Sequence, residues 1–115
     1  MISHHLLLCA TPSKGLCCPD PGVGEASWSA LKQLVRNWGL EEPGRAEGIV
    51  LRSKADCLRV CAKGPVLLIW PDGTVYGEVT AARIERILQE HVIEGRPITE
   101  WIIKRMPFQH MGRVA

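Results

Sequence analysis

The pair Gly64-Pro65 constrains this chain more than any other feature. It separates Cys57-x-x-x-Cys61 from the apolar run Val66 to Trp70. The residue before a proline is pushed out of the α region, so a continuous helix through this point is disfavoured. Cys57 and Cys61 are therefore expected on a loop, or one irregular turn, just ahead of a strand. A loop lets both sulfurs turn toward one point. The remaining cysteines, Cys9, Cys17 and Cys18, occupy a second short stretch beside another predicted strand.

The rest of the chain predicts a sheet with helices packed on it. His5 to Ala10 is a continuous apolar run suited to a central strand. Residues 11–24 contain Pro12, Gly15, Pro19, Pro21, Gly22 and Gly24 and predict a loop. From Glu25 to Trp38, residues Leu31, Leu34, Val35 and Trp38 share one helical face, with Glu25 near the positive end of the dipole. Gly48 to Ser53 is a second strand. Val66 to Trp70 and Thr74 to Val79 flank the turn Pro71-Asp72-Gly73 and predict an antiparallel hairpin. Thr80 is a suitable N-cap for a helix reaching about Ile93, with Ile84, Ile87, Leu88 and Val92 on one face. Beyond it, Ile98, Trp101 and Ile102 share a face if that segment is helical. The expected fold is α/β: a mixed four-stranded sheet with two main helices in βαβ-ββα order, a minimal thioredoxin-like architecture. Its domain is expected over residues 1–106, with 107–115 as a flexible tail.

The chain's 115 residues suit one domain, and 46% hydrophobic content argues against disorder. A net charge of +2 is too small to point to nucleic acid. No secretory signal and no apolar run of bilayer-spanning length is visible, so a cytoplasmic protein without membrane association is expected. In that compartment clustered cysteines indicate metal or redox chemistry more often than disulfides.

In a strand–helix–strand unit with parallel strands, the loops after both strands open at the same sheet edge. Cys9 and one of Cys17 or Cys18 would then meet Cys57 and Cys61. Four thiolates suit an iron–sulfur cluster, and the spacing alone is equally compatible with structural zinc. The Cys-x-x-Cys of dithiol redox centres is absent.

Several segments in order resemble the thioredoxin-like [2Fe–2S] ferredoxins of bacteria. They are His-Leu-Leu-Leu-Cys-Ala at 5–10, Cys18-x-x-x-Gly22, Cys57-x-x-x-Cys61 with Gly64-Pro65, and Leu68-Ile69-Trp70-Pro71-Asp72-Gly73-Thr74-Val75-Tyr76-Gly77. Gly95-Arg96-Pro97-Ile98 completes the set, and the likeness spans roughly residues 5–103. The resemblance implies a [2Fe–2S] cluster on Cys9, Cys18, Cys57 and Cys61. It selects Cys18 over Cys17 because three residues separate the family's second cysteine from a glycine, as in Cys18-x-x-x-Gly22. It implies an electron carrier rather than an enzyme, serving redox protein partners, and it admits a homodimer with the segment around Trp101 at the interface. The chain departs from the pattern in the eight residues between Cys9 and Cys18, fewer than usual, and in Pro19 directly after the ligand. The bland counterpart is a zinc-stabilised or cluster-free thioredoxin-like interaction module. Arg52, Lys54, Arg59 and Lys63 are read as solvated charges or as a basic rim around the centre. The four tryptophans are read as packing residues, and His91 as partly exposed.

Overall fold

Alternating side chains along β1 (Ile2–Cys9) divide the molecule into two apolar layers. The computed structural model describes residues 1–9, 21–56 and 64–106. Leu6 and Leu8 point to one side of the sheet, while Leu7 and Cys9 point to the other. The helix-bearing layer joins Leu6, Leu8, Val50, Leu67 and Ile69 to Leu31 and Val35 of α1 (Pro21–Asn37) and to Ile84 and Ile87 of α2 (Ala81–Ile87). The opposite layer contains Cys9, Val66, Leu68 and Val75, flanked by Leu7, Trp70, Ile103 and Met106.

The sheet order is β2-β1-β3-β4-β5. β1 runs parallel to β2 (Ile49–Lys54) and antiparallel to β3 (Val66–Trp70). β3 pairs antiparallel with β4 (Thr74–Tyr76), and β4 with β5 (Ile102–Arg105). The hairpin, the internal β3 and the βαβ unit follow the sequence expectation.

Four details correct it. The sheet has a fifth strand where a helical tail was one reading. Ile102 and Ile103 serve opposite layers, and Lys104 and Arg105 put charge on an edge strand, which discourages pairing with other chains. α1 begins at Pro21, four residues before Glu25, because proline needs no N–H partner in a first helical turn. Glu25 therefore lies past the first turn. The N-terminal start of β1 at Ile2 likewise precedes the predicted His5.

His91 supplies the fourth correction. α2 continues as a π-helical turn over Leu88–Ile93, which carries His91 into the interior at 3% exposure. Its Nε2 lies 2.7 Å from Asp72 Oδ2, and its Nδ1 lies 2.6 Å from the Tyr76 hydroxyl. A carboxylate only accepts, so Nε2–H donates to Asp72, while Nδ1 and the Tyr76 hydroxyl share the second hydrogen bond. The Tyr76 oxygen in turn accepts the Ile98 N–H at 3.0 Å. Burial is the largest cause raising the Tyr76 hydroxyl above its usual pKa. This chain ties β4, the β3–β4 turn, the π-helical turn and the segment entering β5. Thr80 stands at the N-cap of α2 in extended conformation, with no hydrogen bond from its side chain.

Gly48 positions β2 against β1. Its φ is +100°, and an added Cβ would meet backbone atoms at Ser3 N (2.9 Å) and Ile2 C (3.2 Å). Gly48→Ala is expected to cost about 1–3 kcal/mol, through left-handed strain and displacement of β1. Tyr76→Phe leaves two buried groups unpartnered and is expected to cost about 1–3 kcal/mol. Urea unfolding followed by tryptophan fluorescence measures both.

Candidate metal centre

β1 and β2 run parallel, so their C-terminal ends lie side by side at one sheet edge. Leu8 registers with Lys54, and the Ala55 N–H donates to the Leu8 carbonyl at 2.9 Å. One residue on, the Cys9 thiol donates to the Asp56 carbonyl, with sulfur 3.3 Å from oxygen. Asp56 directly precedes Cys57 in the sequence. The antiparallel pairing of β1 with β3 sets Cys9 opposite Val66. The chain re-enters the described structure at Gly64, and the Pro65 carbonyl accepts the Val79 N–H at 2.9 Å. Cys9, Asp56 and Gly64-Pro65 thus share one edge.

α1 returns to the same neighbourhood. Trp28, in its N-terminal half, has Lys54 Nζ 5.6 Å and Arg52 Cζ 5.7 Å from its ring centroid. That contact sets the beginning of α1 beside the end of β2. The segment from Cys9 to Pro21 and the segment from Asp56 to Gly64 therefore both start and finish near one rim.

Cys9 is fully buried among Val66, Leu68 and Val75. Cys18, Cys57 and Cys61 lie outside the described residues, as do Cys17, Lys14, Arg59, Lys63 and the tail 107–115. Among the described residues, no three His, Cys, Asp or Glu side chains are grouped to hold a metal ion. Among the described histidines, His4 and His91 approach each other, ring centroids 6.3 Å apart, beside the β3–β4 turn, and His5 Nε2 lies 2.9 Å from Ser53 Oγ. There the His4 imidazole is held below its usual pKa, chiefly by burial and next by the field of His91. Trp28, Trp38 and Trp101 pack against the helix-side core and Trp70 against the opposite layer, in the packing roles expected of them. Trp101 is held between Arg83 and Arg86, whose guanidinium carbons lie 4.4 and 4.8 Å from its ring centroid.

Of the four expected ligands, Cys9 is the one among the described residues, and a buried thiol there fits a thiolate-held centre. The buried thiol of Cys9 contacts the residue leading to Cys57. The Trp28–Arg52–Lys54 group was not legible in the sequence, because its members come from separate elements and share no spacing motif.

The architecture is that of thioredoxin-like proteins. A crystal structure of the thioredoxin-like [2Fe-2S] ferredoxin from Aquifex aeolicus superposes with a TM-score of 0.73, covering 91% of this chain and 100% of that one at 20% identity. A second structure of that ferredoxin also gives 0.73, covering 96% and 99% at 20% identity. No family model matches the chain. Sequence similarity carries the assignment further. A 2Fe-2S ferredoxin from Clostridium pasteurianum is 32% identical over 109 residues, spanning 90% of this chain and 93% of the relative. A putative 2Fe-2S ferredoxin from Priestia megaterium is 29% identical over 100 residues, spanning 87% and 69%. The chain belongs to the 2Fe-2S ferredoxin family.

Proposed function

We propose that this protein is a small electron carrier that holds a [2Fe–2S] cluster on Cys9, Cys18, Cys57 and Cys61 and serves redox protein partners in the cytoplasm. The observation that carries this reading is the 3.3 Å contact between the Cys9 sulfur and the carbonyl of Asp56, the residue before Cys57, at the rim both cysteine segments share. When bound, the cluster supplies a reversible one-electron couple. The chain's own residues do the rest. Cys9 is fixed at the end of a central strand, and Val66, Leu68 and Val75 shield its sulfur from water. The β1–β2 ladder and the Pro65–Val79 hydrogen bond hold the ends of the second cysteine segment in register. Fixed ligands and a dry inner side limit reorganisation when the charge of the centre changes. The protein then contributes ligands, shielding and a docking surface, with no substrate chemistry of its own.

Protein purified anaerobically is expected to be reddish-brown, with about two irons and two sulfides per chain, and dithionite is expected to bleach its visible absorbance. A colourless protein containing one zinc per chain would overturn the reading in favour of a zinc-stabilised module. Cys18→Ala is expected to abolish cluster retention while Cys17→Ala preserves it, measured as bound iron per chain. The reverse pattern would move the ligand role to Cys17.

A further inference from the structure

A row of cations leads along the outer strand β2 toward the candidate centre. Glu41 lies 3.9 Å from Arg36 and 3.7 Å from Arg52, so one carboxylate faces two guanidiniums. Arg52 Nε is buried and unpartnered. Lys54, the last residue of β2, is exposed, and its recorded contact is with the Trp28 ring at 5.6 Å. The group Arg36, Glu41, Arg52 and Lys54 therefore carries excess positive charge. The stretch 52–63 continues the same sign in sequence, with Arg52, Lys54, Arg59 and Lys63 against Asp56.

The cations are also ordered. Arg52 and Lys54 both lie against Trp28, which fixes two long side chains on one aromatic plate. Less side-chain entropy is then lost when an anionic surface arrives. Opposite charge also reaches this rim, from Glu78 and, one helical turn before Trp28, from Glu25. Glu78 follows β4, separated from β2 by β1 and β3 in the sheet order. Glu25 lies on α1, and it forms no ion pair with Arg52 or Lys54.

Edge protection is the competing explanation, because β2 borders the sheet and charged residues guard such borders. Guarding requires charge of either sign, whereas the exposed Lys54, held against Trp28 at the site-proximal end of the strand, makes that end cationic.

We propose that the Trp28–Arg52–Lys54 face is the docking surface for an acidic redox protein, oriented so that the partner meets the rim bearing Cys9. This rests on the electron-carrier reading above. Encounter would be steered by complementary charge and weakened by salt.

The test uses the full-length, cluster-loaded protein reduced with dithionite, and two haem proteins of opposite charge as acceptors: acidic cytochrome b5 and basic cytochrome c. One electron passes from the reduced protein to each ferric haem, which becomes ferrous. At low ionic strength, Arg52→Glu/Lys54→Glu is expected to slow reduction of cytochrome b5 by about tenfold and to speed reduction of cytochrome c. Visible absorbance should be unchanged, and equilibrium binding of the oxidised protein to cytochrome b5 should weaken in parallel. Glutamate still guards the edge, so a purely protective role leaves both rates and the binding unmoved. Lys54→Glu alone, at the exposed end of the strand, should shift both rates in the same directions by less, and it supplies the answer if the double variant fails to fold. Coloured variants with unchanged rates and binding overturn the docking face while leaving the electron carrier intact. A wild-type protein without visible absorbance overturns the carrier and this face together.

Discussion

The candidate centre depends on the parallel pairing of β1 with β2. Antiparallel strands would send the residues after Cys9 and after Lys54 to opposite ends of the sheet. Parallel strands bring them to the same end, and the ladder fixes their offset to one residue, Leu8 against Lys54. Parallel pairing requires a crossover, which α1 supplies, and packing α1 on the sheet buries Leu31 and Val35 fully. Fully burying a side chain of this size contributes about 1.5–3 kcal/mol. The helix core thus stabilises the strand direction on which the cysteine arrangement relies. Gly48 is part of the same constraint, because only a residue without Cβ lets the backbone before β2 approach Ser3 at the start of β1.

A second consequence is separation of tasks along the strands. His5, near the start of β1, registers with Trp70, while Cys9 registers with Val66 at the other end. At about 3.3 Å per residue these ends are about 13 Å apart. Asp72 lies just beyond Trp70, at the end remote from Cys9, while Tyr76 registers with Leu67 nearer the Cys9 end but belongs to the helix-side layer, on the face opposite Cys9. The polar lock that fastens the second helix and the entry to β5 is thus built on the helix side of the sheet, away from the face that buries the Cys9 thiol. The rim with Cys9 has the apolar backing of Val66, Leu68 and Val75 and opens into the two cysteine segments.

Much of this was legible from residue patterns. The unbroken apolar run of β3 indicated an internal strand, and Pro71-Asp72-Gly73 indicated the hairpin, because both signals are local. The apolar run His5 to Ala10 likewise indicated β1, which the described residues follow to Cys9. The misses share a cause: each depends on a contact distant in sequence. β5 owes its existence to pairing with β4, where Tyr76 meets Ile102, and four residues divided between apolar and basic show little strand character alone. His91 is drawn inward by Asp72 and Tyr76, partners 19 and 15 positions away, and the π-helical turn that turns it inward has no simple composition signature. Pro21 looked like a loop residue because proline stops helices, yet it begins this one. The choice between Cys17 and Cys18 came from family resemblance, since adjacent residues carry no difference in period.

The same contrast between local and distant signals bears on the charge of the rim. Composition puts the whole chain at only +2, which conceals any local imbalance. The fold redistributes that charge. Glu90 and Glu94 lie within ion-pair reach of Arg86 and Arg96 around the second helix. At β2, a single Glu41 faces Arg36 and Arg52, and Lys54 lies on an indole instead of a carboxylate. A charge held on an aromatic face keeps its long-range field, because the ring quadrupole offers attraction without a compensating negative charge. Pairing Lys54 with Trp28 therefore orders the side chain and leaves its field intact, which an ion pair at the same place would not do.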